Sequence, residues 1–174
     1  MKQYPSIPNA NGTAYRDLGL AHVWSKLDGQ NIRIEYSARQ GWFKFGSRTE
    51  MRSFDDPEFG LAFGTFMNSN LPMLILNGVR GELDPNIREM TVFLEWWGKN
   101  SFAGRHGDIT KEVMNLSLLD VTVNKNGFLS QKHFLRAFEG HSFIPPYLGQ
   151  HNWTRGFVQR VHDGDFPGMP FEGV

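Results

Sequence analysis

The feature that most constrains the fold is the alternation IRIEY at residues 32–36, in which apolar and charged side chains take turns. Successive side chains of a strand point to opposite faces, so this pattern predicts a half-buried β-strand. The turn-like run SARQG follows, and the aromatic segment WFKFGS at residues 42–47 then returns as a second strand. The two segments predict a β-hairpin and hence at least one antiparallel sheet.

Further strands and helices follow without a regular βαβ alternation. A helix is predicted from Asp55-Asp56-Pro57 to about residue 68, and another from Ser130 to about residue 138. Residues 152–161 predict a last short helix, while residues 89–97 and 118–124 predict strands. Residues 71–79 fit either a helix or a short buried strand. This mixture predicts an α+β fold with mainly antiparallel sheets and flanking helices.

Composition narrows the class of protein. The 174 residues suffice for one domain with a sizeable core, so a single domain over 1–174 is expected. The 18 basic and 18 acidic residues balance, so any nucleic-acid contact is expected to be local or completed by another chain. The absence of cysteine excludes thiolate chemistry and suits the cytoplasm. No apolar run approaches about 18 residues, so no membrane span is expected.

Lys26 is a candidate nucleophile because of its setting in VWSKLDGQNIRI. A lysine amine attacks only when unprotonated, which requires burial or a nearby cation to lower its pKa from about 10.4. The flanking apolar residues favour partial desolvation, and Gly29 allows close backbone approach. The alternative is a turn lysine that pairs with Asp28 at the edge of the hairpin.

Glu95 and Arg48 are the other residues whose setting predicts a ligand contact. Glu95 lies in the apolar run VFLEWW, where a buried carboxylate needs a partner such as sugar hydroxyls or a metal ion. The alternative is an edge-strand glutamate that points to water. Arg48 follows the hairpin and suits a phosphate contact, and its alternative is a surface arginine paired with Glu50. Glu172, taken alone, indicates nothing.

Five short motifs stand in an order that resembles the covalent nucleotidyltransferase superfamily of ATP-dependent ligases and capping enzymes. They are Lys26-Leu27-Asp28-Gly29 with Asn31 close behind, Arg48, Glu95 before Trp-Trp-Gly, Leu119-Asp120-Val121, and Glu172-Gly173. Within the superfamily the chain is similar to phage-type, RNA ligase 2-like enzymes, because Asn31 stands where DNA ligases usually carry arginine. The fourth motif departs from the family, since Leu119 replaces an aromatic residue, and stacking on adenine would have to be aliphatic.

The resemblance implies a three-step reaction that seals RNA. Lys26 would attack the α-phosphorus of ATP, release pyrophosphate and carry AMP as a phosphoramidate. AMP would then pass to a 5′-phosphate end of RNA, and a 3′-hydroxyl end would displace it to join the strands. A magnesium or manganese ion would neutralise the phosphates.

The resemblance also implies roles for the site residues. Gly29 and Leu119 would belong to the nucleotide-binding set with Lys26. Glu95 would hold the ribose hydroxyls, while Arg48 and Asn31 would address the phosphate or the acceptor end. Asp28 and Glu172 would act through the metal ion or its waters. Alternatively, Asp28 would orient Lys26.

The family's last motif supplies one or two lysines on a strand shortly after Glu-Gly, whereas this sequence stops at Val174. We therefore expect an adenylation domain that is truncated at its C-terminus or completed by a second polypeptide, with impaired loading of Lys26. A phage enzyme of RNA repair in the host cytoplasm is the expected setting. Two alternatives stay open: a DNA ligase or capping-type nucleotidyltransferase, and a non-catalytic nucleotide- or nucleic-acid-binding fragment.

Overall fold

The computed structural model describes residues 3–5, 19–98, 113–124 and 126–169. The chain divides into two compact units, Met1–Tyr4 with Asp28–Ile144 and Pro5–Leu27 with Pro145–Val174. The elements in the described part of the chain are, in order, β1 (Gly19–Trp24), β2 (Gln30–Ser37), β3 (Gly41–Gly46), α1 (Pro57–Asn68), α2 (Leu71–Glu82), β4 (Glu89–Gly98), β5 (Met114–Val123), α3 (Gln131–Phe138), β6 (Tyr147–Trp153) and α4 (Arg155–His162).

The first unit is built on a four-stranded antiparallel sheet with the strand order β3-β2-β4-β5. One face of this sheet is apolar and forms the core. Its fully buried side chains include Ile32, Ile34, Val92, Leu94, Leu118 and Val121. Helix α1 covers this face, because Phe63 stacks on Phe45 at 4.6 Å between ring centroids. The opposite face carries most of the polar side chains of the sheet.

Local sequence explains the helices of this unit. The Asp56 carboxylate caps α1 by accepting hydrogen bonds from the backbone N–H groups of Glu58 and Phe59, at 3.2 and 3.0 Å. The Ser130 hydroxyl caps α3 in the same way by accepting from the His133 N–H at 3.3 Å. Residues 71–79, which the sequence left ambiguous, belong to α2 and bury one helical stripe: Leu71, Ile75 and Val79.

The second unit is smaller and pairs β1 with β6 in antiparallel register. Thr154 caps α4, since its hydroxyl accepts a hydrogen bond from the Phe157 N–H at 3.1 Å. The core of this unit is formed by Val23, Phe157 and Phe166. Among the described residues no single helix is long and apolar enough to cross a membrane; only α1 and α2 together, across a 65° bend, have enough length and apolar content.

The predicted α+β fold with mainly antiparallel sheets is confirmed, and so are the hairpin, α1, α3 and β4. Two expectations were wrong in detail, and two strands were missed. The last helix begins at Arg155 instead of residue 152, because the residues before Thr154 finish β6. Strands β1 and β6 were not predicted, since neither alternates strictly. The strand over residues 32–36 is not half-buried throughout, because Arg33 is fully buried. The single domain over 1–174 stays a prediction.

Candidate functional site

Two predicted site residues, Asn31 and Glu95, lie directly opposite each other on neighbouring strands. The β2–β4 register pairs Asn31 with Glu95, and the β4–β5 register pairs Glu95 with Ser117. Directly opposed residues point to the same face, so these three side chains form a row across the polar face of the sheet. The indole N–H of Trp97 donates a hydrogen bond to the Ser117 hydroxyl at 2.9 Å and closes the row at one end.

The side-chain amide of Asn31 presents a buried acceptor within this row. Its Nδ2 lies 3.5 Å from the Leu94 carbonyl oxygen. Its Oδ1 is buried and has no hydrogen-bond partner among the described residues. A buried acceptor without a partner loses solvation free energy that a bound donor would restore. A hydroxyl or amino group of a ligand is therefore the chemistry that this position suits.

Gly29 joins the predicted lysine motif to the strand that carries Glu95. A Cβ atom at this position would lie 2.4 Å from the Trp96 carbonyl oxygen and 2.8 Å from the Trp97 Cβ. Only glycine fits at such a distance from the backbone of β4. The close approach expected at Gly29 is thus an approach to β4, and a contact of Gly29 with a nucleotide stays a prediction.

Arg48 lies in a tight turn directly after β3. The Ser47 hydroxyl accepts hydrogen bonds from the backbone N–H groups of Thr49 and Glu50, and the Ser47 N–H donates to the Glu50 carbonyl at 2.9 Å. The Glu50 carboxylate lies 3.4 Å from Arg52 and not against Arg48. Arg48 is exposed and forms no ion pair with another described residue. The fixed turn therefore presents a guanidinium that is available to a ligand.

A β-bulge places Leu119 and Asp120 together against one residue of β4. Leu94 pairs with Leu118 and Phe93 pairs with Asp120, so Leu119 is the extra residue between them. Before the bulge, the buried side chains of the apolar face stand at even positions, Leu116 and Leu118. After it they stand at odd positions, Val121 and Val123.

Asp120 is a functional candidate to which the sequence reasoning gave no role, although it belongs to the fourth motif, Leu119-Asp120-Val121. Burial raises the pKa of its carboxyl to about 7, although a hydrogen bond from the Val121 N–H opposes the shift. A carboxyl that changes charge near neutral pH suits an active site. The signal that could have found it was present in the sequence, where the break in apolar alternation at residues 119–120 marks the bulge.

The pKa of Tyr4 indicates that Asp120, Glu95 and Arg48 lie near its hydroxyl. Burial, and then the negative charges of Asp120 and Glu95, raise the pKa of the Tyr4 hydroxyl to about 12, while the positive charge of Arg48 acts in the opposite direction. All three charges therefore lie within electrostatic reach of one phenol oxygen. The first unit thus gathers Arg48, Glu95 and Asp120 on one side of its sheet, although they are far apart in sequence.

Lys26 lies just after β1 in the second unit, three residues ahead of Gly29 along the chain. Its side chain is exposed. The preceding Ser25 is buried, and its N–H donates to the Pro146 carbonyl at 2.9 Å, which fixes the backbone beside the lysine. Asp28 is half-buried and begins the main part of the first unit. The nucleophilic role of Lys26 stays a prediction.

The predicted metal ligands are only partly described. Glu172 lies outside the described residues, and Asp28 belongs to no group of three or more histidine or acidic side chains within the described part of the chain that could hold a metal ion. Within the described residues, Asp28 is therefore not part of a metal-binding cage. A divalent ion that binds together with the phosphates of a nucleotide needs only one or two protein carboxylates. This mode of binding suits the two predicted ligands better than a cage made by the protein alone.

Solved structures of nucleic-acid ligases have the same fold. A putative ATP-dependent DNA ligase from Aquifex aeolicus matches with a TM-score of 0.58 and 21% sequence identity, over 94% of this chain and 42% of that chain. An RNA ligase from Naegleria gruberi matches with a TM-score of 0.54 and 14% identity, over 84% of this chain and 41% of that chain. This chain therefore spans less than half of either. No protein-family model and no curated protein matches it.

Proposed function

We propose that this chain carries the adenylation site of an ATP-dependent RNA ligase, in which Lys26 accepts AMP. The observation that carries the proposal is the convergence of Glu95, Asn31 and Asp120 on one polar sheet face, with the charge of Arg48 within electrostatic reach of the same face, in a fold shared with two ligases. The carbohydrate, base and phosphate of a nucleotide need different partners. The face offers carboxylates and a buried amide, and the turn after β3 adds a guanidinium.

Glu95 and Asn31 suit the ribose of the nucleotide. The Glu95 carboxylate has two oxygens that accept hydrogen bonds, which matches the adjacent hydroxyls of a ribose. The opposed Asn31 places its buried Oδ1 beside the same position and accepts from a further hydroxyl or amino group. Charge-assisted hydrogen bonds to a carboxylate are stronger than neutral ones, so Glu95 should provide the larger share of affinity.

Arg48 suits a phosphate, because its guanidinium binds two phosphate oxygens in a planar fork. The turn closed by Ser47 holds its backbone in place, which lowers the entropy lost on binding. Asp120 changes charge near pH 7 and can accept a proton or donate a hydrogen bond in the same region.

Lys26 would carry out the covalent step. Its unprotonated Nζ attacks the α-phosphorus of ATP, the N–P bond forms, and the P–O bond to pyrophosphate breaks. The lysyl-bound AMP then moves to the 5′-phosphate of an RNA end, and a 3′-hydroxyl displaces AMP to form the phosphodiester. A divalent metal ion, when bound, neutralises the phosphates, and Asp28 and Glu172 are the residues proposed to contact it.

The experiment that tests the proposal is mass spectrometry after incubation with ATP and magnesium chloride. The expected result is a mass gain of one AMP that peptide mapping places on Lys26. Lys26→Arg should abolish the adduct while preserving the charge. Lys132→Arg is the matched control, because Lys132 is an exposed lysine on α3, and it should leave the adduct unchanged. A protein that binds ATP without an adduct on Lys26 would refute the proposal.

A DNA ligase is the second candidate, because one of the two matching structures is a putative DNA ligase. The choice of RNA rests on Asn31 alone. Sealing of matched nicked duplexes, one with RNA and one with DNA at the nick, separates the two candidates. A preference for the RNA nick supports the primary proposal. Faster sealing of the DNA nick would reject the use of Asn31 as a mark of an RNA enzyme.

A further inference from the structure

Three aromatic rings cluster on the polar face of the sheet, next to the proposed ribose contacts. The Tyr4 ring lies 5.1 Å from the Phe93 ring at an angle of 32°, and 5.9 Å from the Phe128 ring in an edge-on arrangement. The Phe93 and Phe128 rings are 5.4 Å apart. Phe93 is fully buried, whereas Tyr4 is half-buried. The Tyr4 ring is nearer to Phe93 than the Phe128 ring is, and closer to parallel with it, at 32° against 45°, so Tyr4 supplies the ring above Phe93.

The position of the cluster follows from the strand register. Phe93 is two residues before Glu95 on β4, so its side chain lies on the same face, one row away. Phe93 pairs with Asp120 across the bulge that also holds Leu119. The row with Glu95 suits a ribose. The next row, which carries the aromatic rings, lies roughly 7 Å away, because this is the distance between neighbouring same-face residues of a strand. A base attached to that ribose would meet these rings.

The surroundings of Tyr4 keep its hydroxyl neutral. Burial and the negative charges of Asp120 and Glu95 hold its pKa near 12, well above neutral pH. The phenol therefore stays protonated, with an uncharged ring for stacking and an O–H group for donation to a ring nitrogen. A nucleobase is uncharged and flat, so it would stack on a neutral aromatic ring that lies among charged groups.

We propose that Tyr4 is a base-contacting residue of the nucleotide site, and that its ring, lying on Phe93, provides the aromatic stacking surface that Leu119 lacks. This inference rests on the proposed function, and it names the part of the chain that recognises the base. Stacking tolerates different bases, so Tyr4 should favour nucleotides over sugar phosphates and discriminate less between one purine and another.

The test compares the binding of AMP with that of ribose 5-phosphate, which has the sugar and phosphate without the base. Neither compound has a leaving group that Lys26 could displace, so calorimetry measures binding alone. Tyr4→Ala should weaken AMP binding by about 10-fold and change ribose 5-phosphate binding by less than about twofold. Tyr4→Phe, which keeps the ring, should retain most of the AMP affinity. Tyr4→Leu keeps apolar bulk without a ring and should resemble the alanine variant.

Phe54→Ala is the matched control, because Phe54 is 69% exposed and packs against Phe45 and Phe63 on the apolar side. It should leave AMP binding unchanged. The inference is overturned if Tyr4→Ala or Tyr4→Leu binds AMP as well as the wild type, or if binding of AMP and ribose 5-phosphate falls equally. It is also overturned if the wild type binds both compounds with the same affinity. The proposed function fails on a different result, the absence of AMP on Lys26.

Discussion

The two faces of the four-stranded sheet differ in what surrounds their side chains. On one face, Ile34 and Leu94 are fully buried beneath the helices. On the other, their sequence neighbours Glu35 and Glu95 stay partly accessible. A strand with period two can therefore carry a core residue and a ligand contact at adjacent positions. The difference implies that stability and binding can be changed separately by mutating neighbouring residues.

Like Phe93, Arg33 is an exception that shows how closed the middle of the polar face is. Its side chain is fully buried, and its Nη2 lies 3.5 Å from the Met51 Sδ. Burial lowers the pKa of its guanidinium, and the negative charge of Glu35 opposes that shift. The middle of the polar face thus behaves as interior, which strengthens the electrostatic interactions of charges nearby.

The largest effect on stability is expected for Leu94→Ala. It is compared with Glu95→Gln at the adjacent position of β4. Leu94→Ala removes a fully buried side chain and should lower the free energy of unfolding by about 2–5 kcal/mol. The folded variant should bind AMP with nearly the affinity of the wild type. Glu95→Gln should change stability by less than about 1 kcal/mol and weaken AMP binding by about 10-fold, because a charged acceptor is lost. Urea unfolding and calorimetry measure the two quantities.

The contrast between the faces fails if the two substitutions shift stability and affinity in parallel. A loss of AMP binding by folded Leu94→Ala would show that the apolar face shapes the site directly. Strong destabilisation by Glu95→Gln would show instead that Glu95 has a structural role.

The next largest effect is the pH dependence of stability from Asp120. Its pKa of about 7 in the folded protein exceeds the ordinary value of 3.8, so the folded state binds the proton more tightly. The contribution of Asp120 to the free energy of unfolding should therefore be largest below about pH 4 and should fall until about pH 7, by at most about 4 kcal/mol. Asp120→Asn should remove this slope and exceed the wild type in stability at pH 8. Equal slopes for both proteins in thermal melts would contradict the assignment.

The sequence predicted the hairpin, α1 and α3 because local rules set them: strict alternation, an aspartate cap and a serine cap. It identified Asn31 and Glu95 as separate candidates but not as a pair, since their opposition depends on the register of strands 64 residues apart. Tyr4 was not identified because nothing in its neighbours indicates which face its ring will cover. Strands β1 and β6 were missed because each depends on pairing with the other across most of the chain.

A smaller effect is expected at Gly29, whose backbone lies against β4. Gly29→Ala would place a Cβ 2.4 Å from the Trp96 carbonyl oxygen, and should lower the free energy of unfolding by about 1–3 kcal/mol. Gly64→Ala is the control, since a Cβ at this position in α1 meets no heavy atom within 4 Å apart from its chain neighbours and the nearby backbone of its own helix. It should stabilise the protein by roughly 0.5–1 kcal/mol, because alanine is the better helix former. Denaturation curves with shifts of the same sign would contradict the close approach at Gly29.

The smallest effect is expected at Arg48, at the edge of the polar face. Arg48→Ala should change the free energy of unfolding by less than about 0.5 kcal/mol, because the side chain is exposed and the turn is held by Ser47. It should weaken AMP binding by roughly fivefold and reduce the sensitivity of binding to salt, since one charge contact with phosphate is lost. Arg39→Ala removes an exposed arginine from the turn between β2 and β3 and should leave both quantities unchanged. If the two variants bind AMP equally well at low and high salt, then Arg48 makes no phosphate contact, and the polar face recognises its ligand through hydrogen bonds and stacking alone.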